Sequence, residues 1–183
     1  FFKQKTAYEI YEILNFLALQ PGKFTFVDMG SGKGRAVLIA SEFPFKKVVG
    51  IELSEQLHRT AEQNVERFRP ASQRCTAFDL RCMDALEYSY GDEPLVLFLF
   101  DPFGREILRE VIANLEASLR STPREAFLVY VYPQYEDVLK SSPLLRKMKV
   151  GGPKWQPWSQ YVVYVASAAD RTHELRREEE AIV

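Results

Sequence analysis

One stretch near the start of the chain constrains the fold more than any other. Residues 24–34 read F-T-F-V-D-M-G-S-G-K-G, so an apolar run leads into three alternating glycines, and an apolar helical pattern follows over residues 35–40. Glycine permits the positive φ angles of a tight turn and, because it has no Cβ, lets a ligand lie against the backbone. A strand, a glycine loop and a helix in this order open many nucleotide-binding α/β folds.

Spacing decides between the ligand classes that such a loop serves. The phosphate loop of nucleoside triphosphatases requires G-x-x-x-x-G-K-[ST], but here Gly34 follows Lys33 where that motif has Ser or Thr. The dinucleotide motif G-x-G-x-x-G/A puts Arg35 at its last small position, which disfavours an NAD-linked oxidoreductase. A third pattern, acidic-x-G-x-G-x-G, is matched in full from Asp28 to Gly34.

The stretch from Val27 to Arg35 resembles the first motif of the class I S-adenosylmethionine-dependent methyltransferases. With Glu52, residues 26–32 also look like the non-SET protein-lysine methyltransferases, including the histone-directed group. The resemblance covers residues 24–167 and implies S-adenosylmethionine as cofactor. It also implies that the glycine loop lies along the methionyl end and the ribose of the cofactor. The acid Asp28 is then expected to favour the cofactor's ammonium group.

The other predicted cofactor contacts follow the next two strands. Glu52 ends the predicted strand 47–52, and a carboxylate there accepts hydrogen bonds from ribose hydroxyls; we favour this role over a solvated charge. The resemblance implies that Asp84 accepts from the adenine amine, and its alternative is a helix N-cap. The predicted cofactor-binding residues are Asp28, Gly30, Ser31, Gly32, Gly34, Glu52, Leu53, Met83, Asp84 and Asp101.

The continuous apolar run over residues 95–100 is typical of a central parallel strand, and D-P-F-G follows it. Ligands in open α/β sheets bind at the carboxyl ends of strands, so we expect Asp101 beside the reacting group. The tetrapeptide resembles the D-P-P-[YF] or N-P-F element of nitrogen methyltransferases, although the second Pro is missing. In those enzymes the acid or amide and a proline carbonyl accept hydrogen bonds from the target amine. The predicted catalytic residues are Asp101, Pro102 and Phe103, and the alternative for Asp101 is a cap of the next helix.

Hydrophobic periodicity predicts alternating helices and strands. The predicted helices are 1–19, 34–43, a third that is capped by Ser54 and ends before Pro70, and 105–119, with a buried stripe that includes Ile107. The predicted strands are 24–29, 47–52, 76–83, 95–100, 127–132, 145–150 and 160–167. We therefore predict one three-layer α/β/α Rossmann-like domain over residues 1–183, with a seven-stranded, mostly parallel sheet and a C-terminal antiparallel hairpin. The order 3-2-1-4-5-7-6 is implied by the resemblance.

Three segments outside the motifs carry separate expectations. Residues 1–10 resemble a translated adapter sequence, so they are assigned no function, and residues 168–183 read as a polar tail. Tyr132 lies at a predicted strand end, and two roles are equally favoured for it: lining the acceptor pocket or packing within the fold. For Trp155 and Trp158, covering the sheet edge is favoured over covering the substrate.

Composition excludes several other classes of protein. A net charge of −1 without a long basic run argues against a large nucleic-acid interface. Cys75 and Cys82, with no C-x-x-C motif, are expected to be reduced thiols in or near the core of a cytoplasmic protein. His58 and His173 lack metal-ligand spacing, so no metal site is predicted. The longest apolar run, residues 95–100, is too short to span a bilayer.

The predicted function is methyl transfer from S-adenosylmethionine to a nitrogen acceptor, either a protein lysine or a small molecule. One alternative is a non-catalytic S-adenosylmethionine-binding or interaction module that keeps the fold. A less favoured alternative is the NAD-linked oxidoreductase.

Overall fold

The structure is a computed structural model that describes residues 2–20, 22–152 and 159–166. Its helices are α1 (Phe2–Leu17), α2 (Arg35–Ala40), α3 (Glu55–Arg67), α4 (Arg105–Ser121) and α5 (Glu136–Lys140), with a short 3₁₀ helix at Ala85–Glu87. Its strands are β1 (Thr25–Met29), β2 (Lys47–Glu52), β3 (Phe78–Cys82), β4 (Leu95–Phe100), β5 (Ala126–Val131), β6 (Arg146–Gly151) and β7 (Tyr161–Ala166).

The seven strands form one sheet in the order β3-β2-β1-β4-β5-β7-β6. Strands β1 to β5 pair in parallel, whereas β7 runs antiparallel to both β5 and β6. The predicted fold class, strand order and C-terminal hairpin are therefore confirmed. The topology also sets the direction of the site, because the carboxyl ends of β1, β2, β3, β4 and β5 meet at one edge of the sheet.

The sheet is buried on both faces. Alternate residues of β4 point in opposite directions, so Leu97 joins one apolar cluster and Phe98 joins the other. Helices α4 and α5 pack on the Leu97 face, and α1 and α2 pack on the Phe98 face. This double cover explains why β4 is apolar at every position rather than at every second one.

Several local predictions were wrong. Ile107 is 39% exposed because the buried stripe of α4 begins at Leu108. Strand β5 ends at Val131, since Tyr132 takes a φ of 53° that no strand residue adopts. Cys82 is exposed, unlike the buried Cys75. Helix α5 was not predicted, because five residues are too few to establish a helical period.

Some predictions fall outside the described residues, namely Trp155, Trp158, His173 and the tail 168–183. Within the described ranges, no helix is long and apolar enough to cross a membrane. The same ranges contain no group of three or more His, Cys, Asp or Glu side chains arranged to hold a metal ion.

Candidate active site

The glycine loop joins β1 to α2 and lies at the carboxyl edge of the sheet. Gly30, Gly32 and Gly34 have φ angles of 79°, 55° and 80°, a region that side chains rarely adopt. The backbone N–H groups of Gly30 and Ser31 both donate to the Ile51 carbonyl at 2.9 Å, which fixes the loop against β2.

The three glycines differ in what surrounds them. A Cβ at Gly30 would lie 2.5 Å from Pro102 Cβ, and a Cβ at Gly34 would lie 3.2 Å from Ala61 Cβ. A Cβ at Gly32 would have no protein atom within 4 Å. Gly30 and Gly34 therefore allow close internal packing, whereas the backbone of Gly32 borders open space.

Glu52 connects this loop to the next helix. Its side chain is largely buried, and one carboxylate oxygen accepts from the Gly32 N–H while the other accepts from the Ser54 N–H, each at 2.8 Å. Ser54 is the N-cap of α3, as its sequence predicted, and its hydroxyl accepts from the Leu57 N–H. Each carboxylate oxygen has a second lone pair, so Glu52 retains the capacity to accept from ribose hydroxyls.

Asp28 lies in β1 immediately before the glycine loop and is 3% exposed. Burial, and secondarily the negative charge of Glu52, raise the pKa of this carboxyl to about 8. A cationic group beside Asp28 would oppose both effects and favour the ionised carboxylate. The protonation of Asp28 should therefore depend on the charge of a ligand bound beside it.

Three further residues that were predicted to bind the cofactor, Leu53, Met83 and Asp84, lie at the ends of β2 and β3. The Met83 N–H donates to the Glu52 carbonyl at 3.1 Å, and Leu53 is 71% exposed beside it. The Asp84 carboxylate accepts from the Leu86 N–H at 2.9 Å and caps the short 3₁₀ helix. The capping alternative for Asp84 is thus observed, and its contact with adenine stays a prediction.

Asp101 follows β4 with a φ of 41°, a left-handed conformation that is uncommon for a residue with a side chain. One oxygen of its carboxylate accepts from the Tyr130 hydroxyl at 2.8 Å, and the other accepts from the Gln134 side-chain amide. The helix-cap alternative was wrong, since Gly104 is the N-cap of α4 and no side chain caps that helix. Phe103 is half-buried and packs on the core beneath α4.

Sequence reasoning missed both partners of Asp101. No sequence pattern predicts the contact between Gln134 and Asp101, because Gln134 reaches Asp101 only through the turn after β5. The sequence did carry a signal for Tyr130: a buried tyrosine usually needs a hydrogen-bond partner, and β5 had an apolar sequence in which only Tyr130 carries such a group. The strand order puts that hydroxyl beside the residue after β4.

One protein family and several solved structures are similar to this chain. The model of the family described as "Histone methylation protein DOT1" matches residues 6–93. No curated protein shows a significant sequence match to the chain.

Solved structures share the fold at low identity. Magnesium protoporphyrin IX methyltransferase from Synechocystis PCC 6803, with bound S-adenosylmethionine, has a TM-score of 0.63 at 16% identity, covering 89% of this chain and 80% of that one. A ribosomal protein L11 methylase from Lactobacillus delbrueckii subsp. bulgaricus has a TM-score of 0.60 at 17% identity, with coverages of 87% and 77%. A putative methyltransferase from Escherichia coli has a TM-score of 0.65 at 16% identity, with coverages of 87% and 86%. These structures show that the chain has the fold of the class I S-adenosylmethionine-dependent methyltransferases, and the histone-methylation family model matches its N-terminal part.

Proposed function

We propose that this enzyme methylates a nitrogen atom, with Asp101 as the residue that receives the acceptor amine. The observation that carries this proposal is the Asp101 carboxylate, which lies at the carboxyl end of the central strand and is held by two neutral donors, Tyr130 and Gln134. The next residue, Pro102, packs on Gly30 of the glycine loop. The chain segment that carries Asp101 is therefore in direct contact with the glycine loop through Pro102.

The residues in and beside the glycine loop have the chemical groups that this cofactor would need. Gly32 borders open space, Glu52 has oxygen lone pairs for ribose hydroxyls, and Asp28 has a carboxyl that a bound ammonium would ionise. Bound S-adenosylmethionine supplies a methyl group already activated by its sulfonium, so the chemistry belongs largely to the cofactor. The protein has to hold the acceptor in line and keep water out.

Asp101 has a simple role in such a reaction. Its carboxylate accepts a hydrogen bond from the acceptor N–H, which turns the nitrogen lone pair toward the methyl group. Positive charge develops on the nitrogen as the new bond forms, and a nearby carboxylate stabilises that charge. This electrostatic preference favours an amine over an oxygen or carbon acceptor.

A protein lysine is the acceptor that the family match favours, because the matching model describes histone methylation. A small-molecule amine is the alternative. Incubation with S-adenosylmethionine that carries a tritiated methyl group tests both, with purified core histones in one reaction and a set of small primary amines in another. Label on histones that survives acid hydrolysis as methyl-lysine supports the first, and label on an amine supports the second. Label on neither, with the cofactor bound, contradicts both.

Thermal unfolding with S-adenosylhomocysteine, and separately with NAD, tests the cofactor. Ligand at about 100 times its dissociation constant adds roughly 2.7 kcal/mol of stability, which raises the Tm of a domain of this size by roughly 5 to 10 °C. We expect a rise with S-adenosylhomocysteine alone. A rise with NAD alone would contradict the assignment, and binding without turnover on any acceptor would favour the non-catalytic module.

The substitution Asp101→Ala tests the catalytic role. We expect turnover to fall by about 100-fold or more, while the Kd for S-adenosylhomocysteine stays within about threefold of the parent value. Glu106→Ala is the control, because this carboxylate of α4 is exposed and pairs with Arg109. Equal losses of cofactor binding and turnover in Asp101→Ala would argue against a role in the methyl transfer step.

A further inference from the structure

Two neighbouring strands end in the same unusual way. Phe100 and Val131 form the last pair of β4 and β5, and the residues that follow them, Asp101 and Tyr132, have φ angles of 41° and 53°. Left-handed residues with side chains persist only where the surroundings hold them, and they cluster at functional sites. Both turns leave the sheet at the edge where the glycine loop lies.

The first group that holds Asp101 comes from inside the sheet. Tyr130 is 1% exposed, and its ring belongs to the apolar core, yet its hydroxyl reaches the Asp101 carboxylate at 2.8 Å. Burial, and then the hydrogen bond to Asp101, raise the pKa of this phenol well above its usual value. Tyr130 therefore remains a neutral hydrogen-bond donor at neutral pH.

The second group comes from the turn after β5. The Tyr132 N–H donates to the Gln160 carbonyl at 2.7 Å, and the Gln134 N–H donates to the Tyr132 carbonyl at 2.8 Å. These bonds tighten the turn and direct the Gln134 amide toward the second oxygen of Asp101. These backbone hydrogen bonds fix the main chain at Gln134, and from that position its side-chain amide reaches Asp101.

The charge of the cluster is also distinctive. Both partners of Asp101 are neutral, so its negative charge is not cancelled by an ion pair with either of them. Arg105, four residues further along, pairs instead with Asp137 and stacks over the Tyr135 ring at 5.0 Å from its centroid. The positive charge of Arg105 is therefore paired with Asp137 rather than with Asp101.

We propose that Tyr130 and Gln134 are positioning residues that fix both oxygens of the Asp101 carboxylate for the acceptor nitrogen while preserving its negative charge. This inference rests on the proposed role of Asp101. Neither residue touches the reacting atoms in this account. Each acts through Asp101, so its contribution should vanish when the Asp101 carboxylate is absent.

Tyr130→Phe is the main test, because it removes one hydroxyl and keeps the ring that fills the core. Tyr164→Phe is its matched control: Tyr164 is 2% exposed, lies on β7 beside β5, and donates to the Glu136 carboxylate at 2.9 Å. Both variants remove a buried hydroxyl that donates to a carboxylate, and the Tyr130 hydroxyl has an additional hydrogen bond with the Tyr135 backbone. We expect similar losses in Tm, but an approximately tenfold fall in kcat for Tyr130→Phe alone, with the Kd for S-adenosylhomocysteine unchanged.

Gln134→Met provides an independent test with little risk to folding, because Gln134 is exposed. Methionine has a similar length but cannot donate to Asp101. Gln63→Met, at an exposed glutamine of α3, is the control. We expect kcat to fall by several-fold for Gln134→Met and to stay unchanged for Gln63→Met.

Double variants separate a positioning role from a structural one. In single-turnover reactions, Tyr130→Phe should cause no further loss in an Asp101→Ala background. The same tenfold loss in both backgrounds, or equal kcat in Tyr130→Phe and Tyr164→Phe, would overturn the positioning role. Full turnover in Asp101→Ala alone would instead contradict the proposed function, so the two failures are distinguishable.

Discussion

The backbone of Gly30 lies directly against the ring of Pro102. A Cβ built on Gly30 would come within 2.5 Å of Pro102 Cβ, closer than two such carbons approach in proteins. Gly30 belongs to the glycine loop, and Pro102 follows Asp101, the residue that we propose receives the acceptor amine. The first glycine of the motif therefore sets the spacing between the two halves of the site, in addition to its role in the turn.

Substitution of this glycine should damage both halves at once. In Gly30→Ala, the new methyl group must displace Pro102, and the φ of 79° adds backbone strain. We expect a loss of about 2 to 4 kcal/mol in the free energy of unfolding, together with weaker cofactor binding and lower turnover. Urea denaturation and calorimetry with S-adenosylhomocysteine measure the two effects. Gly22→Ala is the control, since its φ of 72° is similar but no atom lies within 4 Å.

Gly32→Ala should separate ligand contact from folding. Its methyl group would meet no protein atom, so the protein should lose only the strain of about 1 to 2 kcal/mol that Gly22→Ala also shows. The methyl group would nevertheless occupy the space in which we expect the cofactor. We therefore predict at least about tenfold weaker binding of S-adenosylhomocysteine. Binding as tight as that of Gly22→Ala would show that the ligand lies elsewhere.

The fold, and the placement of Glu52 and Ser54 beside the glycine loop, were largely predictable from the sequence. An apolar strand before G-x-G-x-G leaves few alternatives, because three glycines are needed only where the backbone turns sharply and admits close contacts. Glu52 was found by its offset from that loop, and Ser54 by helix-capping chemistry. These features depend on residues that are close together in the chain.

The acceptor side was less readable, because it depends on contacts between distant segments. Tyr130 and Gln134 lie 29 and 33 positions from Asp101, and they reach it only because β5 pairs with β4 and then turns through Tyr132. The contact between Gly30 and Pro102 was not predicted for the same reason, because it joins the residues that follow two neighbouring strands, β1 and β4. Helix-capping chemistry suggested a cap for Asp101, but α4 begins later, at Gly104.

Glu52→Gln should loosen the glycine loop as well as the ribose contact. The carboxylate accepts from two backbone N–H groups, one at Gly32 and one at Ser54. An amide offers one acceptor oxygen, so one N–H would face an NH₂ group. We expect a stability loss of about 1 to 3 kcal/mol and a rise of about tenfold or more in the Kd for S-adenosylhomocysteine. Glu55→Gln, at an exposed ion pair with Arg59, should change neither.

Arg124 should contribute to stability without affecting the site. Its guanidinium is buried at the opposite end of the sheet and donates to the carbonyls of Glu93, Ser118 and Thr122. Arg124→Ala would remove all of these hydrogen bonds at once, although the Ser118 carbonyl would still accept from the Thr122 N–H. We therefore expect a loss of about 2 to 4 kcal/mol in the free energy of unfolding. Below its lowered Tm, the variant should retain parental kcat. Arg120→Ala, which breaks only a surface ion pair of α4, should cost less than about 1 kcal/mol.

Asp28 should make the cofactor-free protein less stable as the pH rises from about 5 to 8. Burial and the charge of Glu52 raise the pKa of Asp28 to about 8 in the folded protein, whereas an unfolded aspartate titrates near about 4. Between these values the folded state binds more protons than the unfolded state. The stabilisation is therefore complete below about pH 4 and is lost as the pH rises through about 8.

Cofactor binding should show the opposite trend. A ligand ammonium beside Asp28 favours the ionised carboxylate, so binding below about pH 8 must release a proton, and affinity should rise by up to about tenfold per pH unit toward that value. Asp28→Asn removes the titrating group. It should flatten both the stability curve and the binding curve between about pH 5 and 8. Calorimetry in buffers of different ionisation enthalpy counts the released protons, and an unchanged pH dependence in Asp28→Asn would assign the titration to another group.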